Sequence, residues 1–291
     1  MAITKAIIPV AGLGTRFLPA TLAVPKVMMP IIDRPAIHYA IEEAHQSGIK
    51  KIIFVISQDQ ESVKTYFQQR TDIEDLLLSN GLHELLETIK TIRKMGDVQF
   101  ITQPKPRGLG DAILQAKNSI GNESFAVILP DDLILSDIPT LLNMIEIQNE
   151  KGITLLAVKE VDKSLISRYG VIKPKKIPYN DMIEIETLIE KPEMEFAPSN
   201  LAIVGRYILN RTIFPALENS GLGALGEIQL TDSIRKTTIE GQKCIGFKFP
   251  GKHFDIGTPT GLLKASIQMS LVRNDTKHEM GKWLRTLKLP E

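Results

Sequence analysis

Cysteine is nearly missing from this chain: Cys244 is the only one in 291 residues. A lone thiol makes no internal disulfide and no cysteine-built zinc cage, which predicts a reducing, cytoplasmic setting and a packing role within Cys244-Ile245-Gly246-Phe247. Long apolar runs are missing too, because charges or prolines interrupt every candidate before it reaches the length of a membrane span. The apolar start is broken by Pro9, Gly12 and Gly14 and ended by Arg16, so it does not read as a secretory leader. Charge bias is likewise absent. Lys and Arg number 35 against 34 Asp and Glu, a net +1, without the basic surplus that a polynucleotide partner demands. No nucleic-acid and no membrane partner is expected. What remains, 43% hydrophobic and 24% charged residues, is an ordinary globular composition, long enough for one large domain or two modest ones.

In the first half, strand-like apolar runs at Ala6–Val10, Ile52–Ile56, Val98–Thr102 and Phe125–Leu129 alternate with helical periodicity. The helical stretches are Pro35–Ser47, Gln60–Gln69, Asp72–Met95 broken near Gly81, Leu109–Asn118 and Ile138–Glu150. Such alternation predicts an α/β fold with a Rossmann-like, mixed but mostly parallel central sheet flanked by helices. Strands dominate the second half, at Ile153–Val161, Tyr169–Ile172, Ile183–Ile189, Asn200–Leu209 and Cys244–Phe249, and predict antiparallel additions to that sheet. Lys173-Pro174-Lys175-Lys176-Ile177-Pro178 reads as an exposed hairpin turn. From Pro259 to Leu287 two helices are expected, the second basic around Trp283. The expected division is a main domain over residues 1–264 and a helical tail over 265–291 available for subunit contact.

The most informative segment follows the first strand: Ala11-Gly12-Leu13-Gly14-Thr15-Arg16. Glycines after a strand let backbone amides approach a phosphate with no Cβ in the way. A dinucleotide loop would place a third glycine where Phe17 stands and open a helix, which Pro19 obstructs. A Walker loop needs Gly-Lys-Ser/Thr, which does not follow. What does follow is Phe17-Leu18-Pro19-Ala20-Thr21 and then Pro25-Lys26, a glycine loop with two cations suited to a nucleoside triphosphate. This string, G-x-G-T-R-x-x-P-A-T with P-K after it, resembles the sugar-1-phosphate nucleotidylyltransferases.

Further motifs of that family occur in order. Gln103-Pro104-Lys105-Pro106-Arg107-Gly108-Leu109-Gly110 matches its base-reading segment, where a side-chain amide faces the pyrimidine; an amide offers both donor and acceptor to a uracil edge. Leu129-Pro130-Asp131-Asp132 ends a strand, and Asp131 aligns with the family's magnesium ligand. Asp255, in Phe254-Asp255-Ile256-Gly257-Thr258-Pro259, resembles the second; two carboxylates with phosphate oxygens and waters make a usual Mg²⁺ environment. Glu190-Lys191-Pro192 matches the motif whose glutamate binds sugar hydroxyls and whose lysine reaches the sugar phosphate. Tyr169-Gly170-Val171, the stretch from Ala197 to Tyr207 and Gly226 to Asp232 are similar to the bacterial UTP-glucose-1-phosphate uridylyltransferases within the family.

The resemblance implies transfer of a uridylyl group from UTP to glucose 1-phosphate with Mg²⁺, in a homodimer or homotetramer. It implies Arg16, Lys26 and Lys191 as catalytic cations. Ala11, Gly12, Gly14, Thr15, Gln103 and Gly108 would bind nucleotide. Gly170, Glu190, Lys191, Asn200 and Glu227 would bind sugar, and Asp131 and Asp255 metal. The chain also departs from the pattern: Leu22 and Val27 replace a lysine and a glutamate beside the loop, and Asp111 replaces a histidine near the base. Two alternatives stay open on these residues, a relative using another pyrimidine nucleotide or sugar 1-phosphate, and a non-catalytic regulatory paralogue.

Overall fold

The computed structural model describes all residues except 1–2, 59, 152, 177–180, 224–225 and 289–291. Its first strands are β1 (Lys5–Pro9), β2 (Pro30–Ile31), β3 (Arg34–Pro35), β4 (Lys51–Ile56), β5 (Asp97–Thr102), β6 (Phe125–Ile128) and β7 (Asp132–Leu135). They are followed by β8 (Thr154–Glu160), β9 (Gly170–Pro174), β10 (Met182–Glu190), β11 (Leu201–Leu209), β12 (Cys244–Lys248) and β13 (Lys252–Asp255). Nine of them form one sheet in the order β5-β4-β1-β6-β11-β8-β12-β10-β9. The register makes β5, β4, β1 and β6 parallel neighbours, while β11 and β10 run against the rest. The expected mixed, mostly parallel sheet with antiparallel strands added in the second half is what forms. Ala202 also pairs with Val171, so β9 closes back onto β11.

Apolar runs such as Ile7-Ile8 and Ile52-Ile53-Phe54-Val55 are buried because helices cover both faces of the sheet. Alternate side chains serve opposite faces. Ile8, Ile52, Phe54 and Ile56 pack with Ile37 and Ile41 on one side, and Ile7, Ile53 and Val55 pack with Ala112 and Ile113 on the other. The covering helices are α1 (Ala36–Gln46), α2 (Glu61–Thr65), α3 (Thr71–Ser79), α4 (His83–Lys94), α5 (Leu109–Gln115), α6 (Lys117–Ile120) and α7 (Thr140–Lys151). Later come α8 (Ile213–Glu218), α9 (Leu230–Ile239), α10 (Pro259–Val272) and α11 (Lys277–Thr286). Gly48, at φ +80°, stops α1 by letting the Ile49 N–H return to the Ala44 carbonyl at 3.0 Å. Thr258 caps α10 by accepting from the Gly261 N–H at 3.2 Å, with Pro259 at the first helical position.

The expected break near Gly81 is present and separates α3 from α4. Other elements differ from expectation. The stretch from Gln60 to Gln69 is α-helical only over Glu61–Thr65, because the Gln60 side chain turns inward and Tyr66 and Phe67 pack on the core. The expected Lys173–Pro178 turn begins inside β9, and positions 177–178 lie outside the described residues. Position 264–265, where the tail was expected to begin, falls inside α10. Among the described residues no helix is long and apolar enough to cross a membrane.

A buried polar cluster under α1 carries a pH dependence. His38 is 3% exposed; its Nδ1 donates to Tyr66 Oη at 2.9 Å, and Arg34 Nη1 donates to its Nε2 at 3.3 Å. Burial, with the Arg34 guanidinium alongside, pushes His38 down to about 4. An unfolded chain takes up that proton near 6.5 and the folded one only near 4. The stabilisation present above pH 6.5 is therefore lost as pH falls toward 4. Acid-range melting curves are expected to show this loss, and His38→Gln is expected to flatten it between pH 6.5 and 4.

Candidate active site

The carboxyl ends of β1, β4, β5 and β6 lie side by side, where open α/β sheets present their ligands. Val10 follows β1 and is bonded to Val55; its carbonyl accepts from the Gln60 amide at 2.7 Å, while Gln60 Oε1 accepts from the Ser57 N–H. The ends of β1 and β4 are thus braced to each other. From there the glycine loop leaves the sheet with Ala11 buried and Gly12 exposed. Instead of an α-helix it forms short 3-10 turns at Thr15–Phe17, Ala20–Leu22 and Lys26–Met28, consistent with the obstruction by Pro19. Gly14 sits at φ +65°, and a Cβ there would stand 2.9 Å from Lys26 Cβ, so only glycine lets the lysine cross beneath the loop. The Gly14 carbonyl is held by the Thr21 hydroxyl at 3.0 Å.

Lys26 Nζ reaches Asp131 Oδ2 at 2.5 Å. Burial opposes the charged carboxylate of Asp131, but the Lys26 ammonium beside it and Arg16 nearby prevail and hold it below the usual range. Asp131 also fixes the second acid through its backbone: its carbonyl accepts from the Ile256 N–H at 2.8 Å. The short ribbon of β7 and β13, with Asp132 opposite Asp255, completes this juncture. A Cβ on Gly257 would stand 3.0 Å from Asp255 Oδ1 and 3.1 Å from Asp131 Oδ2, so both carboxylates face the same small volume. Burial, then the negative charges of Asp132 and Asp131, push Asp255 up against the pull of Arg168. Arg168 Nη2 donates to Asp255 Oδ2 at 2.7 Å, and Asp132 Oδ1 meets His253 Nε2 at 2.6 Å. Among the described residues no group of three or more acidic, histidine or cysteine side chains could hold a metal. A pair of carboxylates around a glycine fits Mg²⁺, which draws its other ligands from phosphates and water.

Glu190 ends β10 opposite Gly170 and accepts from the Thr231 hydroxyl at 2.6 Å. A Cβ on Gly170 would stand 3.0 Å from that carboxylate. Lys191 follows at φ +42°, its N–H bonded to the Tyr169 carbonyl at 3.0 Å and its ammonium half exposed. Burial pushes Tyr207 well above its usual range, with the negative charges of Glu190, Asp132 and Asp131 adding to it. The acid pair and the Glu190 cluster meet at Tyr169, whose carbonyl accepts from the Lys191 N–H and which borders one cavity with Asp255.

Gln103, 6% exposed, follows β5; its amide donates to Asp111 Oδ2 at 2.7 Å and to the Gly108 carbonyl at 3.2 Å. Gly108 is at φ +97° with Glu227 packed against it. Glu227, read from the sequence with the sugar group, thus stands beside the Gln103 segment, and it is Thr231 that touches Glu190. Asn200 is exposed before β11, its carbonyl bonded to the Val161 N–H. Leu22 is exposed, whereas Val27 is only 2% exposed and packs in the core beneath the loop. Arg168, His253 and Thr231 were not singled out as site residues. Arg168 and His253 each stand directly before a quoted motif and Thr231 lies inside one, the only signal the sequence offered.

A cavity of about 910 Å³ lined by Tyr39, Leu135, Ile138 and Met269 contains none of the expected site residues. A second, of about 410 Å³, is bordered by Arg168, Tyr169 and Asp255.

A nucleotide-type loop, two facing carboxylates and flanking cations are the parts of a phosphate-transfer site. The chain belongs to the nucleotidyl transferase family, whose profile, described as Nucleotidyl transferase, matches residues 5–270. It is 41% identical over 287 residues to UTP–glucose-1-phosphate uridylyltransferase 2 of Staphylococcus saprophyticus, covering 99% of each chain. In structure it is similar to UDP-glucose pyrophosphorylase from Acinetobacter baumannii, with a TM-score of 0.90 and 36% identity over 98% of this chain and 100% of that one. A UDP-glucose pyrophosphorylase solved in complex with UDP-glucose aligns with a TM-score of 0.83 and 38% identity, over 93% of this chain and all of that one.

Proposed function

We propose that the chain catalyses Mg²⁺-dependent uridylyl transfer from UTP to glucose 1-phosphate, releasing UDP-glucose and pyrophosphate. The observation that carries this reading is the convergence of Lys26, Asp131 and Asp255 beneath the glycine loop. The names of its relatives supply the substrates. A phosphate oxygen of glucose 1-phosphate attacks the α-phosphorus in line; the bond from that phosphorus to the bridging oxygen breaks, and pyrophosphate leaves with the electron pair. No covalent protein intermediate is needed, so the protein's task is positioning and charge neutralisation.

Ala11, Gly12, Gly14 and Thr15 would line the triphosphate, Arg16 would hold its β- and γ-phosphates, and Lys26 would neutralise charge around the α-phosphate. Lys191 would orient the attacking phosphate, with Gly170, Glu190, Asn200 and Glu227 toward the sugar. Gln103 and Gly108 would receive the base. Asp131 and Asp255 would hold Mg²⁺, which when bound supplies Lewis-acid neutralisation of both substrates' phosphates. Buried Cys244 supports a cytoplasmic setting, and exposed Leu263 and Trp283 on α10 and α11 support a homo-oligomer.

The test is pyrophosphate release from UTP, dTTP, CTP, ATP and GTP in turn, with glucose 1-phosphate and Mg²⁺. Release with UTP that is lost in EDTA and regained with excess Mg²⁺ is expected. Silence with every nucleotide, from folded protein, would overturn the reading.

A further inference from the structure

Asp111 stands where the family pattern has histidine, and its surroundings give that difference a consequence. It is 6% exposed, and two amides serve its two oxygens: Gln103 Nε2 donates to Oδ2 at 2.7 Å and Gln115 Nε2 to Oδ1 at 3.2 Å. The same Gln103 nitrogen donates to the Gly108 carbonyl at 3.2 Å. A carboxylate and a carbonyl can only accept. Both amide hydrogens of Gln103 are therefore used, and the reversed amide would set Oε1 against two acceptors. The Gln103 backbone cannot swing away, because its N–H is bonded to the Ile56 carbonyl at 2.8 Å. Oε1 is left with no partner among the described residues, and it is not one of the buried side-chain atoms closed off without a hydrogen bond.

We propose that Asp111 is a specificity-determining positioning residue: it locks Gln103 with Oε1 toward the base, selecting a pyrimidine that carries N3–H over cytosine. Uracil and thymine donate from N3, whereas cytosine presents a lone pair there, so two acceptors oppose each other. A buried polar group denied its partner discriminates strongly. The inference rests on the reading that Gln103 faces the base.

The experiment compares kcat/KM for UTP and CTP in the full chain, its Asp111→Leu and Asp111→Ala variants, and Gln103→Leu. Asp111→Leu keeps the branching and heavy-atom count of the side chain but removes both acceptors, leaving only the Gly108 carbonyl at 3.2 Å to orient the amide, and is expected to lower the UTP-to-CTP ratio at least about tenfold. Asp111→Ala is expected to do the same and serves where the leucine variant does not fold. A purely structural role for Asp111 would depress both nucleotides alike and leave the ratio intact, overturning the proposal. Collapse of the ratio in Gln103→Leu but not in either Asp111 variant would also overturn it, while sustaining Gln103 as the base reader. An unchanged ratio in Gln103→Leu would instead refute the underlying reading of Gln103.

Discussion

Lys191→Ala is expected to reduce uridylyl transfer by about a hundredfold or more while leaving the melting temperature unchanged. The side chain is half exposed and its nearest charged partner, Glu190 Oε1, is 3.5 Å away, so little folding energy rests on it. Its N–H bond to Tyr169 and its positive φ are backbone features that alanine keeps, since both residues carry a Cβ. The proposed loss is a single charge contact to the attacking phosphate, typically worth ~3 kcal/mol of transition-state stabilisation, or about a hundredfold in rate. Steady-state pyrophosphate release and a thermal melt on the same preparation check both halves. Undiminished release would remove Lys191 from the mechanism.

The largest effect on stability is expected at Arg206, which is 2% exposed. Its guanidinium donates to Glu43 Oε2 at 2.7 and 3.0 Å, and to the carbonyls of Leu129 and Gly205 at 3.1 and 3.2 Å. Glu43 Oε1 in turn accepts from the Leu141 N–H at the start of α7. Arg206→Met leaves the mostly buried Glu43, its side chain 11% exposed, without its countercharge and is expected to cost about 3–5 kcal/mol. That corresponds to a fall in Tm of roughly 6–20 °C. The double variant Arg206→Met with Glu43→Leu removes both charges and is expected to recover much of the loss. Equal melting of the single and double variants would show that the unpaired carboxylate is not the cause. Leu129 stands two residues before Asp131, so on the proposed metal assignment the single variant is also expected to need more Mg²⁺ for half-maximal pyrophosphate release.

The parallel half of the sheet and the loops at its carboxyl edge were legible because their signals are local. Ile7-Ile8 and Ile52-Ile53-Phe54-Val55 are continuous apolar runs, and the motif around Gly12, Arg16 and Lys26 is contiguous. Strands β2, β3, β7 and β13, of two to four residues, are too short to show a period. The partnerships of Arg168 with Asp255 and Arg206 with Glu43 span 87 and 163 residues, and no local pattern announces them. Val27 shows the converse: beside the loop in sequence, it is a core residue in space.

The hold of the Asp131 carbonyl on the Ile256 N–H also dates the site within the life of the chain. Asp131 leaves the ribosome long before Asp255, and at about 5–20 residues per second the intervening stretch of about 120 residues takes roughly 6–24 s to make. Throughout that interval the chain carries the glycine loop, Lys26 and Asp131 but not yet Asp255. On the proposed assignment the metal pair is therefore complete only once Asp255 has been made, and a chain cut short before it would lack one of the two carboxylates.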